Sequence, residues 1–345
     1  MKIYIISPFL KSGGPRSLHQ LGNRLVNLGM DVYIYYGYRN KKYETDSFLY
    51  SDSRMKIAQN IEDSEDSLII VPESDTGWLK KYRRAKKVIW WLSLNFYLNN
   101  NIWWRSKFRT NFYNQASIFM LLRYLHTKIK EPHISYIAPK NLKEVDYHLY
   151  NCEYVHDYLL NHKVDSKKMS YLCGPIDIEE KNKKEYTTVK ENLIIYNPAK
   201  VSPYIIEKIL NYMKRNYPQY RFKALKNLSH EEVLDYLKRA KVYLDLGYFP
   251  GPERMPREAS MNYCNIITST MGAAKNEVDV PIPQEFKFDL KKANVPKICN
   301  LIVDMCENYY SYTKKFDKYR QKTKNQIDNF SKDIDKLKKV ITELN

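Results

Sequence analysis

At 345 residues the chain exceeds one ordinary domain of about 100–200 residues, so two hydrophobic cores are expected. A hydrophobic share of 43%, with 14% aromatic, excludes an intrinsically disordered chain, because that much apolar surface offsets the entropy of ordering. Lys and Arg number 57 against 39 Asp and Glu, a formal net charge of +18 that points to anionic partners: nucleic acid, anionic lipid headgroups or phosphorylated substrates. The Lys, Asn, Ile and Tyr richness behind it is equally what a biased genomic base composition produces.

Taken in chain order, Lys2–Pro8 and Asp31–Tyr38 read as strands around a helical stretch in which Leu18, Leu21, Leu25 and Leu28 recur at helical spacing. Pro15 suits the start of that helix and Gly29 its end. Ser67–Glu73, Lys87–Ser93 and Tyr147–Glu153 are further strands, and the unbroken apolar run Leu68-Ile69-Ile70-Val71 suits a parallel strand buried on both faces. The charged stretch Glu179–Glu185 lacks apolar periodicity and reads as a linker.

The alternation then restarts. Strand Leu193–Asn197 leads to a helix that Ser202 can cap and Pro203 can begin. Strand Arg221–Leu225 precedes a capping box at Ser229–Glu232, and strands Val242–Gly247 and Asn265–Ser269 follow. From Phe316 onward, Ile327, Phe330, Ile334, Leu337, Ile341 and Leu344 share one face of a long amphipathic helix, expected to pack on its own protein rather than anchor in a membrane. The boundaries are therefore residues 1–172, a linker at 173–190, and residues 191–345 including the terminal helix.

Cys152, Cys173, Cys264, Cys299 and Cys306 lack the short paired spacings of zinc or disulfide frameworks, and are expected to be reduced thiols. The N-terminal apolar run is too short for a signal peptide, and no stretch approaches about 18 apolar residues. The protein is expected to be cytoplasmic.

The segment Tyr243–Ser260 carries the most specific signal. A strand ends near Gly247, a loop with Pro250, Gly251 and Pro252 follows, and Pro256 suits the first turn of a helix with Glu258 just inside it. Free amides at such a helix end, together with its dipole, suit a diphosphate. A carboxylate slightly further in can accept hydrogen bonds from a ribose diol.

These residues resemble the GT-B glycosyltransferases related to family 4, and within them a branch of bacterial surface-polysaccharide transferases with the pattern Pro-Gly-x-x-Arg-x-Pro-Arg-Glu-Ala. The likeness runs from Leu228-Ser229-His230-Glu231 through Glu258-Ala259 to Gly272-Ala273-Ala274 and spans about 80 residues of the donor half. It implies two Rossmann-like, doubly wound α/β domains facing across a cleft. Glu258 then corresponds to the second Glu of the Glu-x7-Glu signature, which binds the donor ribose. Pro250 stands where that signature has its first Glu, and Glu253 lies nearby out of register.

Asn197-Pro198-Ala199-Lys200 follows the first strand of the second half, where the resemblance places a Lys on the donor diphosphate. The companion Arg, five residues earlier in the family, is here Ile195, and Arg254 or Arg257 is expected to replace it. The resemblance thus assigns catalysis to Lys200, Arg254 and Glu258. Donor binding falls to Asn197, Lys200, Gly251, Glu253, Arg254, Arg257, Glu258, Gly272 and Ala273.

Gly13 and Gly14 look like the N-domain glycine loop of these enzymes, although a simple turn reads the same way and the dinucleotide fingerprint is not spelled. Ser93 and Asn95 occupy the mouth of the first domain, where family-4 enzymes often carry a His. His19 is the nearest histidine by sequence, with a structural role on a helix face as the alternative. Trp103–Arg109 is a basic, aromatic stretch suited to an acceptor sugar or lipid headgroups.

The resulting expectation is a metal-independent glycosyltransferase in surface polysaccharide synthesis. It needs no cofactor, a nucleotide-sugar being the co-substrate, and it acts on a glycan or lipid-linked acceptor, with an anionic membrane surface as a further partner. A sugar-nucleotide epimerase or phosphorylase is the rival within enzymes, and a non-catalytic transferase-like subunit is another alternative. A nucleic-acid-binding protein is the rival from a different class. No helix-turn-helix, zinc-finger or RNA-recognition signature is spelled, so nucleic acid is not an expected partner.

Overall fold

The computed structural model describes residues 1–37, 48–101, 104–105, 122, 136–176, 189–292 and 294–344. The linker stretch Glu179–Glu185 and, apart from Trp104 and Arg105, the Trp103–Arg109 stretch lie outside the described residues. Contacts divide the chain into two compact units. The first holds described residues of Met1–Arg105, Leu122–Pro175 and Gln326–Asn345, and the second those of Ile176–Asn325.

The first unit is built on a seven-stranded parallel sheet: β1 (Lys2–Ser7), β2 (Asp31–Tyr36), β3 (Lys56–Ile57), β4 (Ser67–Pro72), β5 (Lys86–Trp91), β6 (Tyr147–Tyr150) and β7 (Met169–Tyr171), in the order β3-β2-β1-β4-β5-β6-β7. All six residues of β4 are buried, as its unbroken apolar sequence requires of a parallel strand covered on both faces. Helix α1 (Gly13–Asn27) turns Leu18, Leu21 and Leu25 onto the sheet.

That helix stops at Gly29, whose φ of 80° lies in the left-handed region. The Gly29 amide donates to the Val26 carbonyl (2.9 Å) and the Met30 amide to that of Leu25 (3.1 Å), satisfying carbonyls that the helix end would otherwise leave unpaired. Short helices α2 (Leu94–Leu98) and α3 (Glu153–Asn161) follow β5 and β6.

The second unit carries a five-stranded parallel sheet: β8 (Glu191–Tyr196), β9 (Arg221–Ala224), β10 (Ala240–Asp245), β11 (Asn265–Ser269) and β12 (Lys287–Phe288), in the order β12-β11-β10-β8-β9. Its helices are α4 (Pro203–Asn216), α5 (His230–Arg239), α6 (Arg254–Met261), α7 (Val295–Glu307) and α8 (Tyr309–Thr313). The capping box at α5 forms as the sequence spells it: the Glu232 amide donates to Ser229 Oγ (3.2 Å), and the Ser229 amide to the Glu232 carboxylate (2.7 Å). At α4, Pro203 takes the first helical position as expected, but the Ser202 side chain makes no capping bond.

The last helix, α9 (Asp317–Leu344), differs from the sequence-based division, which gave the whole tail to the second domain. From Gln326 on it groups with the first unit, because Phe330, Ile334, Leu337 and Ile341 join the cluster of Ile3, Ile5, Leu21, Leu25 and Trp90. Strands β3, β7 and β12 are additions that the sequence did not announce. Each has only two or three residues, too few to show a period.

Candidate functional site

In a doubly wound sheet, ligands bind beyond the carboxyl ends of the strands where the strand order reverses. In the second unit β8 lies between β9 and β10, so the reversal falls between β8 and β10. The segments leaving those two strands are Asn197–Lys200 and Leu246–Glu258. They approach closely: a Cβ added at Gly247 would stand 2.6 Å from the Lys200 carbonyl oxygen, so glycine is required there.

Asn197 shapes the first segment. Its Oδ1 accepts the Ala199 amide (3.0 Å) and its carbonyl accepts the Lys200 amide (3.1 Å), a side-chain turn that puts Lys200 directly after the strand. The Lys200 ammonium pairs with the Glu253 carboxylate, both side chains being partly shielded from solvent.

Near Lys200 lies Asp245, the last residue of β10, which is buried. Its carboxylate accepts the Tyr243 hydroxyl (3.0 Å) and the Gly247 amide (3.3 Å). Burial raises the Asp245 carboxyl to about 6, and the Lys200 charge works against that rise.

Glu253 stands at the N-cap of α6, and its side chain makes no capping bond. Pro256 is the third helical residue, inside the first turn, where its missing N–H removes no helical bond. One turn links Arg254 Nε to Glu258 Oε1 at 3.7 Å, and Glu258 is buried. Arg257, also buried, donates Nε–H to the Glu253 carbonyl (3.3 Å) and so fixes the backbone that carries Glu253.

Gly272 follows β11 with φ 66°, and a Cβ there would stand 2.1 Å from the Phe249 carbonyl oxygen. That carbonyl accepts the Ala273 amide (2.8 Å), and the Phe249 amide donates to Met271 (3.2 Å). Gly272 and Ala273 therefore hold the loop after β10 by its backbone. Gly251 is buried in the same loop. Lys200 and Arg257 both meet Glu253, Arg254 and Glu258 pair one turn apart on the same helix, and Gly272 and Ala273 hold the preceding loop through Phe249.

In the first unit the order reverses between β1 and β4. Gly13 and Gly14 open α1, and a Cβ at Gly14 would meet only Leu92 Cδ1 at 3.7 Å, an ordinary contact; the fold itself does not demand glycine there. At Gly174 the space is tighter, since a Cβ would lie 2.4 Å from Ser17 Oγ and that side chain would have to turn away.

Ser93 is the N-cap of α2 without a side-chain bond, and Asn95 keeps a buried Oδ1 with no partner among the described residues. His19 is fully buried, with Nδ1 2.9 Å from the Pro15 carbonyl and Nε2 3.0 Å from the Tyr36 hydroxyl. Burial lowers its pKa and keeps the ring neutral, which is the structural role.

Glu73 is a residue the sequence reading used only as a strand end. It leaves β4, is 1% exposed, and accepts the Leu92 amide at 2.7 Å. Burial raises its carboxyl to about 8. The sequence signal, an acid closing an all-apolar run at a strand's carboxyl end, was present in Leu68–Glu73. Asn151 holds the same residue from the other side, donating Nδ2–H to the Leu92 carbonyl (2.9 Å). Among the described residues, Glu153, His156 and Asp157 bring ligand atoms within 4.8 Å of one another on one turn of α3; none of the contacts described above involves them.

No protein-family model and no curated protein matches the chain. Solved structures do. Sucrose-phosphate synthase from Thermosynechococcus elongatus superposes with a TM-score of 0.63 at 12% identity, over the whole of both chains. WaaG, a glycosyltransferase involved in lipopolysaccharide biosynthesis, gives 0.56 at 10% identity over 99% of this chain and 100% of its own. HepE from Anabaena, in complex with UDP and glucose, gives 0.58 at 10% identity over 99% of this chain and 98% of its own. At such identities the likeness is one of architecture, and it shows that this chain has the GT-B fold, with two Rossmann-like parallel α/β units.

Proposed function

We propose that the protein is a glycosyltransferase that moves a sugar from a nucleotide-sugar to a glycan or lipid-linked acceptor in surface polysaccharide synthesis. The observation that carries this is the set Lys200, Arg254, Arg257 and Glu258 gathered at the strand-order reversal of the second sheet. The presence of UDP-glucose in HepE supports a nucleoside diphosphate sugar as the donor class, and WaaG's part in lipopolysaccharide synthesis supports a surface glycan as the product.

In this reading the Lys200 ammonium and an arginine of α6 hold the diphosphate with the amides at the helix N-terminus. As the sugar–phosphate bond breaks, negative charge grows on the departing diphosphate, and these fixed cations stabilise it without a metal ion. The Glu258 carboxylate accepts the ribose hydroxyls. Gly13, Gly14, Ser93 and Asn95 line the acceptor side. The protein works in the cytoplasm, attached peripherally to the anionic inner face of a membrane.

The test is a thermal-shift screen against nucleoside diphosphates, followed by donor hydrolysis with the best ligand's sugars, since a ligand that binds the native state raises its apparent stability. The expected result is a shift with at least one diphosphate, weakened by about tenfold in affinity in Glu258→Gln, the loss of one charge-assisted hydrogen bond. A shift without nucleotide release from any sugar would support the non-catalytic transferase-like subunit instead.

A further inference from the structure

The Lys200 ammonium does not stand free in solvent. It pairs with Glu253, and Asp245 lies near enough to feel its charge. Three cations, Lys200, Arg254 and Arg257, share this end of the sheet with three carboxylates, Asp245, Glu253 and Glu258. Each carboxylate has a different station. Asp245 is buried and bound by Tyr243 and Gly247. Glu258 is buried and turned toward Arg254.

Glu253 alone of the three stands at the mouth of the helix, as the N-cap residue of α6, with its carboxylate on Lys200 and its backbone fixed through Arg257. Its side chain accepts no amide of α6. An anion drawn to this helix end meets a cation already neutralised by an anion of the protein.

We infer that Glu253 is an internal counter-anion that occupies Lys200 in the free enzyme and is displaced by the donor diphosphate. The inference rests on the diphosphate reading of this site and changes the expected role of Glu253 from a donor contact to a competitor of the donor. Two consequences follow from the geometry. A single-charged or weakly held anion cannot repeat all that Glu253 already gives Lys200, so the site discriminates against free phosphate. A diphosphate that also engages the α6 amides and an arginine gains enough to exchange the partners, and the exchange costs it the Lys200–Glu253 pair.

The experiment is calorimetric titration of the full chain with pyrophosphate and with UDP, in the parent, Glu253→Gln, Lys200→Ala and the double variant, each first shown to keep its far-ultraviolet spectrum and cooperative melting. Glu253→Gln should bind pyrophosphate on the order of fivefold more tightly, the worth of one partly shielded ion pair. Should that variant fail to fold, Glu253→Asp shortens the reach to Lys200 and should tighten binding in the same direction. The double variant should bind no better than Lys200→Ala alone, which separates release of Lys200 from a general loss of negative charge.

Unchanged or weaker binding by Glu253→Gln overturns the inference, as does a gain that persists without Lys200. Those outcomes leave the site intact provided Lys200→Ala still weakens both ligands. If Lys200→Ala binds both as the parent does, the diphosphate reading itself falls.

Discussion

The Glu73 carboxyl accepts the Leu92 amide at 2.7 Å, across from the Asn151 amide group that holds the Leu92 carbonyl. A buried acid thus pins the first residue after β5 at the carboxyl edge of the first sheet. With its carboxyl raised to about 8 from a reference of 4.5, it keeps its proton in the folded state where the unfolded chain releases it. The stabilising contribution is therefore complete below the unfolded value and is lost as pH rises toward the folded one, by at most about 1.4 kcal/mol per pH unit. Urea unfolding at pH 5 and pH 8 should show the parent losing stability with pH and Glu73→Gln losing markedly less. Equal slopes in the two proteins would show that Glu73 is ionised in the fold.

Gly272 and Gly14 should respond in opposite ways to alanine. At Gly272 the positive φ and the Phe249 carbonyl 2.1 Å from a Cβ leave no room, so Gly272→Ala should cost more than about 1 kcal/mol and lower the melting temperature. Gly14 sits in the first turn of α1 beside Leu92 at 3.7 Å, and Gly14→Ala should gain about 0.5–1 kcal/mol. If Gly14 also lets an acceptor approach the backbone, transfer should fall in that same stabilised variant. A stabilised protein with parental transfer would remove Gly14 from the acceptor side.

Lys200→Ala should lower donor turnover on the order of 10²-fold at saturating donor, the usual loss for one preorganised charge at a developing anion. The loss should fall more on kcat than on ground-state binding, because the diphosphate is most charged as it leaves. Arg254→Ala and Arg257→Ala identify which arginine acts beside Lys200, since the one that does should show a similar loss, less than additive with Lys200→Ala. Parental rates for Lys200→Ala would place the chemistry elsewhere.

The basic excess predicts binding to vesicles containing phosphatidylserine that weakens as salt rises, with each Lys or Arg near the surface worth about 1 kcal/mol. Co-sedimentation at low and high salt measures it. Equal binding to neutral and anionic vesicles at low salt would remove the membrane surface as a partner. Among the described residues no helix is long and apolar enough to cross a membrane.

What the sequence conveyed was local. The leucine spacing of α1, its glycine stop, the capping box of α5 and the strand-loop-helix passage from Tyr243 to Glu258 each depend on residues within a few positions of one another. The family likeness added an expectation of which of those segments face a ligand. The pairings that define the site were not legible, because they join distant positions. Glu253 meets Lys200 across 53 residues, and Glu73 meets Leu92 across 19. Asp245 was hidden for another reason: within the expected strand Val242–Gly247 nothing set it apart, and its contacts with Tyr243 and Gly247 appear only in the folded chain. The home of α9 was missed because an apolar stripe records that something is covered, not what covers it.

That helix sets the schedule on which the protein can be made. Ile3 and Ile5 are made long before Ile334, Leu337 and Ile341, yet they share one cluster with them. The described residues of the second unit fall within Ile176–Asn325 and are all made before α9 is complete, whereas the first unit stays incompletely covered until α9 has been made. A chain cut after Asn325 should accordingly retain a foldable second unit while its first unit exposes the apolar face that α9 covers, and should depend on chaperones or aggregate.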